Sequence, residues 1–157
     1  MSNGLANAMN TENRILSALR RIIQAVDIHS RKLASQYNIT GPQLVTLLLV
    51  LAEGPLTLSQ IAKTIHLNNS TVVGIIDRLE AKELVRRERS TRDRREVYVS
   101  PTEAGRLLGQ QAPSPLHDRF LAALRDLPAS EQAAIAVSIE RIVELMGADD
   151  IEAAPLL

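Results

Sequence analysis

Two helix starts of the same chemical form constrain the fold of this 157-residue chain more than any other feature. The segments Thr40–Gln43 and Thr57–Gln60 both place a glutamine three residues after a threonine, which is the capping-box pattern. In a capping box the threonine oxygen accepts from a free backbone N–H of the first turn, and the glutamine binds back to the cap. Gly54-Pro55 ends the first helix before the second begins. The sequence therefore predicts two successive helices.

A third helix and a hairpin are predicted immediately afterwards. The chain turns at His66–Asn68, and a helix beginning at Asn68 or Asn69 has apolar residues at three- and four-residue steps. Two short helices joined by about three residues form a helix-turn-helix. The segments 84–89 and 96–100 contain β-branched valines and flank a polar segment, which is typical of a hairpin. We predict a mainly α fold with a small β-hairpin, a winged helix-turn-helix over residues 40–100.

Long helices are predicted on both sides of this unit. Apolar residues recur every three or four positions from Ile15 to Leu33, which predicts a helix over residues 11–36. Further helical segments cover residues 102–147, interrupted at Pro113 and Pro115. Long helices with a narrow apolar stripe often pack across a dimer, so 11–36 and 102–147 are expected to form a helical dimerisation region. Residues 1–10 are expected to be a flexible N-terminus and 148–157 a C-terminal tail.

The composition excludes several classes of protein. The chain has no cysteine, which excludes disulfides, thiolate catalysis and cysteine-based zinc sites. Aromatic residues make up 2%, so the core must be aliphatic, and stacking platforms for single-stranded nucleic acid are disfavoured. The sequence has no signal-peptide pattern and no bilayer-length apolar run, so we expect a cytoplasmic protein without a membrane partner. Phosphate-binding glycine loops, nucleophile elbows and zinc-hydrolase motifs are lacking, so we expect neither an enzyme nor a cofactor.

The charges are unevenly distributed although the formal net charge is zero. Residues 78–96 contain eight Lys or Arg and five acids, whereas residues 126–157 contain seven acids and one Arg. Attraction to phosphate depends on local charge, so a basic middle segment can bind nucleic acid despite an acidic tail.

The helix that begins near Asn69 has polar groups suited to a DNA major groove. Its apolar stripe leaves these residues off the core: Asn69, Ser70, Thr71, Gly74, Asp77 and Arg78. Hydroxyl and amide groups can bind phosphates or base edges, and the helix start offers free N–H groups. A mid-helix glycine costs up to about 1 kcal/mol relative to alanine, and close approach to DNA would justify that cost. The alternative is that Asn69–Thr71 only cap a helix.

The tip of the predicted hairpin is strongly basic. Arg92, Arg94 and Arg95 flank Asp93 on one turn, and narrow minor grooves attract inserted arginines. The adjacent Asp93 can hold an arginine in one rotamer. The alternative is a solvated charged turn, but its place directly after a helix-turn-helix favours DNA.

These segments together resemble the MarR family of bacterial regulators. The resemblance rests on the run from Ser70 to Glu80, then Glu83-Leu84-Val85, Asp93-Arg94-Arg95 and Thr102-Glu103-Ala104-Gly105. It implies an obligate homodimer that binds double-stranded DNA. It further implies that Ser70, Thr71, Val73 and Gly74 face the major groove and that Arg94 enters the minor groove. By the same analogy Asp93 orients Arg94, and Asp77 or Arg78 braces the wing. Two residues depart from the family pattern: Glu83 where glycine is common, and Ser90 where an acid is common.

A finer resemblance concerns the regulated genes. Ile28–Leu33, Thr40–Leu44 and Ile151–Leu156 look like the MarR branch associated with ectoine and other compatible-solute genes. This resemblance implies a repressor of osmoprotectant synthesis or uptake that acts on a pseudo-palindromic operator. The alternatives are a winged-helix protein-interaction module, or a regulator whose small-molecule or metal effector is unrelated to osmotic stress.

Four residues near the end of the first long helix are the predicted effector-binding group: His29, Ser30, Lys32 and Tyr37. The alternative is that these residues have structural partners, as polar residues at helix ends usually do. No metal site is expected, because His29, His66 and His117 are far apart in sequence and none has a helical i, i+4 histidine partner.

Overall fold

The protein is mostly helical with one small antiparallel sheet, as the sequence predicts. The computed structural model describes residues 2–91, 93 and 96–151. The elements in chain order are α1 (Ser2–Tyr37), α2 (Gly41–Glu53), β1 (Leu56–Thr57), α3 (Leu58–Thr64), α4 (Asn69–Ala81), β2 (Val85–Arg89), β3 (Val97–Pro101), α5 (Glu103–Gln111), α6 (Leu116–Arg125) and α7 (Ala129–Leu145).

Both capping boxes are formed. Thr40 accepts from the Gln43 backbone N–H, and the Gln43 side chain accepts in return from the Thr40 N–H. Thr57 and Gln60 make the same reciprocal pair at the start of α3. These caps fix where α2 and α3 begin because each satisfies backbone donors that a helix start leaves free.

The sheet has three strands in the order β1-β3-β2 rather than the two predicted from the sequence. Val99 at the centre of β3 pairs with Leu56 on one side and with Arg87 on the other, and it is fully buried. The extra strand β1 consists of only two residues, so it is too short to show the alternation by which strands are recognised.

The core lies among α2, α3, α4 and the sheet, and it consists of aliphatic side chains. The fully buried members include Leu44, Leu47, Ile61, Ile76, Leu79 and Val99. Leu33 from α1 and Ile39 from the following loop join the same cluster. Full burial of each such side chain contributes about 1.5–3 kcal/mol to folding. This cluster therefore fixes the position of α4 through its buried face.

Helix α1 is longer than predicted. It begins at Ser2, whereas the sequence predicted a flexible segment over residues 1–10 and a helix from Thr11. Residues 2–10 contain no proline, and extending an existing helix is far less costly than starting one. Hydrophobic periodicity does not detect such an extension, because polar residues extend a helix without adding to its apolar stripe.

The outer helices expose many apolar side chains. Ile23 on α1 is 65% exposed, Phe120 on α6 is 50% exposed and Val137 on α7 is 65% exposed. No residue of α7 is buried. These helices therefore extend an apolar surface away from the core of α2, α3 and α4. Within the described residues no helix combines the length and apolarity needed to cross a bilayer.

Candidate DNA-binding surface

Helix α4 has one buried face and one face turned to solvent. Its buried side chains are Val72, Ile75, Ile76 and Leu79. The other side contains the residues predicted to lie off the core, and with them Val73, which the resemblance assigns to the major groove. All are exposed except the half-buried Gly74: Asn69, Ser70, Thr71, Val73, Gly74, Asp77 and Arg78. The structure therefore brings these residues together on one accessible strip.

The N-terminal end of α4 is capped by Asn68. Its side-chain oxygen accepts from the Thr71 backbone N–H at 2.8 Å and from the Ser70 hydroxyl at 2.7 Å. The cap is thus Asn68, one residue before the predicted polar group Asn69–Thr71. The side chains of Asn69 and Thr71 are exposed at a helix start, where phosphate oxygens are well accommodated.

Gly74 has no packing reason to be a glycine. A Cβ atom added there would meet nothing within 4 Å. By contrast, a Cβ atom at Gly105 in α5 would collide with the Leu84 backbone carbonyl. Gly105 is required by the fold, whereas Gly74 leaves open space on the exposed side of α4.

Arg87 on β2 joins the hairpin to α4. Its guanidinium forms ion pairs of 2.6 Å with both the Asp77 and the Glu80 carboxylates, and its backbone N–H donates to Glu80 at 3.2 Å. The Arg87 side chain is only 24% exposed. Burial lowers the pKa of Arg87, but the hydrogen bonds that its guanidinium donates to the Asp77 and Glu80 carboxylates outweigh this effect and raise the pKa. We call Arg87, Asp77 and Glu80 the wing clamp.

Arg87 and Glu80 were not predicted from the sequence to be part of this surface. Two signals could have found them: Arg87 lies two residues after the buried Val85 on the same strand face, and Glu80 follows Asp77 by three residues on α4. By the same two-residue period Arg89 lies on this face, closer to the hairpin tip, and it is exposed. Arg89 therefore adds a positive charge between α4 and the tip.

The hairpin tip is described only in part. Asp93 donates its backbone N–H to the Ser90 hydroxyl at 3.2 Å and accepts from the Glu96 N–H at 3.0 Å. Ser90 therefore takes part in the turn through its hydroxyl group. The predicted minor-groove residues Arg92, Arg94 and Arg95 lie outside the described residues.

The turn after α4 keeps a glycine-like backbone although the residue there is glutamate. Glu83 has a φ of 57°, in the left-handed region that favours glycine. Its carbonyl accepts from the Thr102 hydroxyl at 2.6 Å, and Leu84 donates its N–H to Leu79. The departure from the family pattern at Glu83 therefore leaves the helix end formed, at the cost of strain.

The four predicted effector residues lie in the last third of α1, but they do not share one environment. Tyr37 packs against the core, whereas Lys32 is exposed. Nε2 of His29 is buried and has no hydrogen-bond partner within the described part of the chain. Burial lowers the pKa of His29, and the charges of Lys32 and Arg119 lower it further. Ser30 is half-buried. His29 thus lies in a positively charged neighbourhood contributed by α1 and α6.

Among the described side chains, no three His, Asp or Glu residues form a group that could hold a metal ion.

Known transcriptional regulators resemble this chain in sequence. A family model described as the MarR family matches residues 39–97, which include α2, α4 and most of the hairpin. The organic hydroperoxide resistance transcriptional regulator of Bacillus subtilis (strain 168) is 32% identical over 104 residues, covering 66% of this chain and 71% of that protein. The chain belongs to the MarR family.

A second relative is the HTH-type transcriptional regulator MgrA of Staphylococcus aureus, 33% identical over 75 residues. That match covers 48% of this chain and 51% of MgrA, so the chain matches about half of the length of that relative. The fold also agrees with the crystal structure of the S. aureus MepR–DNA complex, with a TM-score of 0.61 and 22% identity over 82% of this chain and 95% of MepR. The chain is a MarR-type DNA-binding transcriptional regulator and not an enzyme.

Proposed function

We propose that this MarR-type regulator acts as a homodimer on a pseudo-palindromic operator, with α4 in the major groove and the β2–β3 hairpin in the adjacent minor groove. The observation that supports this most is the exposed strip of α4. It combines a capped polar start, a glycine with open space beside it and the wing clamp to the hairpin. A major groove is wide enough to admit a helix, and the clamp gives helix and hairpin one fixed relation.

Each residue of the surface has a proposed role. Asn69, Ser70 and Thr71 bind phosphates or base edges at the start of α4, and Val73, 38% exposed, suits contact with a thymine methyl group. Gly74 allows the DNA backbone to approach α4. Arg78 contributes charge, and Arg92, Arg94 and Arg95 bind in or beside the minor groove, with Asp93 orienting Arg94 and Asp77 holding the wing through Arg87.

The homodimer is proposed to form through residues 11–36 and 102–147. Its support is the set of exposed apolar side chains on α1, α6 and α7, because helices that expose apolar side chains in this way commonly pack against a partner. Two copies related by a two-fold axis would present two α4 helices to half-sites about one helical turn apart, roughly 34 Å.

The regulator is proposed to repress osmoprotectant genes in the cytoplasm. The resemblance of Ile28–Leu33, Thr40–Leu44 and Ile151–Leu156 to compatible-solute regulators supports this, and chromosomal DNA is the expected partner. A reporter driven by the promoter of an osmoprotectant gene of the same organism should be expressed more strongly when the regulator gene is deleted. Equal expression with and without the gene would contradict the repressor role.

A small effector is proposed to bind near His29, Ser30, Lys32 and Tyr37. The unpartnered Nε2 of His29 offers a hydrogen-bonding atom, and Lys32 and Arg119 favour a negatively charged group beside it. Binding there would act on the end of α1, which joins the dimer region to the winged domain.

The central test is DNA binding by the wild-type protein and the Arg94→Ala variant. We expect a salt-dependent shift of the protein's own upstream region, with a protected site that shows two-fold symmetry. Arg94→Ala should weaken binding and lower the slope of log affinity against log salt by about one unit. A wild-type protein that shifts no candidate promoter would instead favour a winged-helix module that binds protein.

A further inference from the structure

Lys82, the residue directly after α4, makes a contact with a distant part of the chain. Its ammonium group donates to the backbone carbonyl of Asn38 and, at 3.1 Å, to Oε1 of Gln43. Asn38 follows the last residue of α1, and Gln43 lies in the first turn of α2. One side chain therefore joins the end of α4 to the junction of α1 and α2.

The acceptors of this contact are themselves held in place. Gln43 is 3% exposed, and the same Oε1 accepts from the Thr40 backbone N–H at 3.3 Å as part of the capping box. Asn38 has a φ of 49°, so its carbonyl is oriented by a tight left-handed turn. Lys82 is half-buried, and both of its acceptors are neutral oxygens. Because hydrogen bonds of this kind are directional, the contact specifies a position for the end of α4.

The rest of α4 is held from a different direction. Its outer face is bound by the wing clamp, and its apolar face rests on the core. The wing clamp contains no residue of α1, and the core joins α4 to Leu33 of α1 through apolar packing alone. The Lys82 contact therefore adds a directional, polar link between the end of α4 and the end of the long helix α1.

We propose that Lys82 is a positioning residue for DNA recognition, which transmits the placement of α1 to α4 and so helps to set the distance between the two α4 helices of a dimer. This proposal rests on the proposed function, in which α4 enters the major groove and α1 belongs to the dimer region. Lys82 itself touches no DNA. A change in α1, whether from the partner copy or from an effector near His29, would reach α4 through Asn38 and Lys82.

The test compares Lys82→Met with wild type on operators of altered half-site spacing. The duplexes are the footprinted operator and versions with one base pair added or removed between half-sites, titrated at several salt concentrations well below the unfolding temperature. Wild type should prefer the natural spacing. Lys82→Met should bind the natural operator about tenfold more weakly, lose most of the spacing preference and keep the wild-type salt slope. Lys82→Arg, which can still donate to both oxygens, should restore the preference.

Lys63→Met is the control for charge, because it removes an equal charge from an exposed position on α3. Lys82→Gln, whose shorter side chain does not span both acceptors, replaces the Met variant if that variant does not fold. An unchanged spacing preference in Lys82→Met, or in Lys82→Gln where that variant replaces it, would overturn the proposal even if the free energy of unfolding is lowered. A salt slope reduced by about one would also overturn it, because Lys82 would then bind phosphate. Failure of the proposed function would be recognised separately, since wild type would then bind none of the duplexes.

Discussion

At the scale of single residues, Gly74 separates the demands of folding from those of binding. Alanine at this position should raise the free energy of unfolding by about 0.5–1 kcal/mol, because alanine favours a helix interior and the space beside Gly74 is open. The same change should weaken DNA binding about tenfold if DNA approaches the backbone there. Chemical denaturation and DNA titration measure the two effects.

Gly105→Ala is the matched control for this prediction. Its Cβ atom would collide with the Leu84 carbonyl, so Gly105→Ala should lower stability where Gly74→Ala raises it. A Gly74→Ala protein that binds DNA as tightly as wild type would remove Gly74 from the contact surface.

Glu83 is a second residue whose backbone departs from its chemical preference. Glu83→Gly should raise the free energy of unfolding by about 1 kcal/mol, because a side chain in the left-handed region is strained and glycine is not. Asn38 has a φ of 49°, and Asn38→Gly should raise the free energy of unfolding by less, because asparagine tolerates the left-handed region. Urea unfolding measures both changes; a larger gain at Asn38 would show that strain is not the cause.

At the scale of secondary-structure elements, the wing clamp is the main link between α4 and the hairpin. Arg87→Met should lower the free energy of unfolding by about 1 kcal/mol, because it removes two ion pairs of the mostly buried Arg87 while water still solvates the two exposed carboxylates. DNA affinity should fall as well, since the hairpin would no longer keep a fixed place beside α4. Unfolding and DNA titration of the purified variant provide the measurements.

The neighbouring arginine supplies the control. Arg86 is 63% exposed and forms an ion pair with Glu88, which is 51% exposed, so Arg86→Met should change the free energy of unfolding by less than about 0.5 kcal/mol. Equal effects of Arg86→Met and Arg87→Met would show that the clamp is no more than a surface ion pair.

The predictable part of the structure is the part whose signals are local. Caps at Thr40 and Thr57 and the apolar steps of α4 are visible in a few consecutive residues, so these helices were predicted near their observed ends. The strand β1, the wing clamp and the Lys82 contact depend on residues brought together by folding. Lys82 and Asn38 are 44 positions apart, and no spacing rule joins them.

At the scale of the whole molecule, the exposed apolar helices should control oligomeric state. Val137→Asp on α7 should weaken the dimer at least about tenfold, because burying an unpaired carboxylate in an apolar interface is costly. Operator binding should weaken in parallel. Sedimentation over a concentration series measures the first effect and DNA titration the second.

Ala52→Asp adds the same charge at an exposed position near the end of α2 and should leave the dimer intact. A Val137→Asp protein that sediments as wild type would place the dimer contact elsewhere.

None of the residues of helix α7 is buried in the single chain. This feature affects how operator occupancy depends on the amount of the regulator. If association supplies the burial that α7 lacks, then ordering this helix and pairing two copies are one event governed by mass action. When most of the protein is dissociated, halving its total amount would leave about a quarter of the paired form. Gene dosage and dilution during growth would then alter operator occupancy more steeply than the copy number itself.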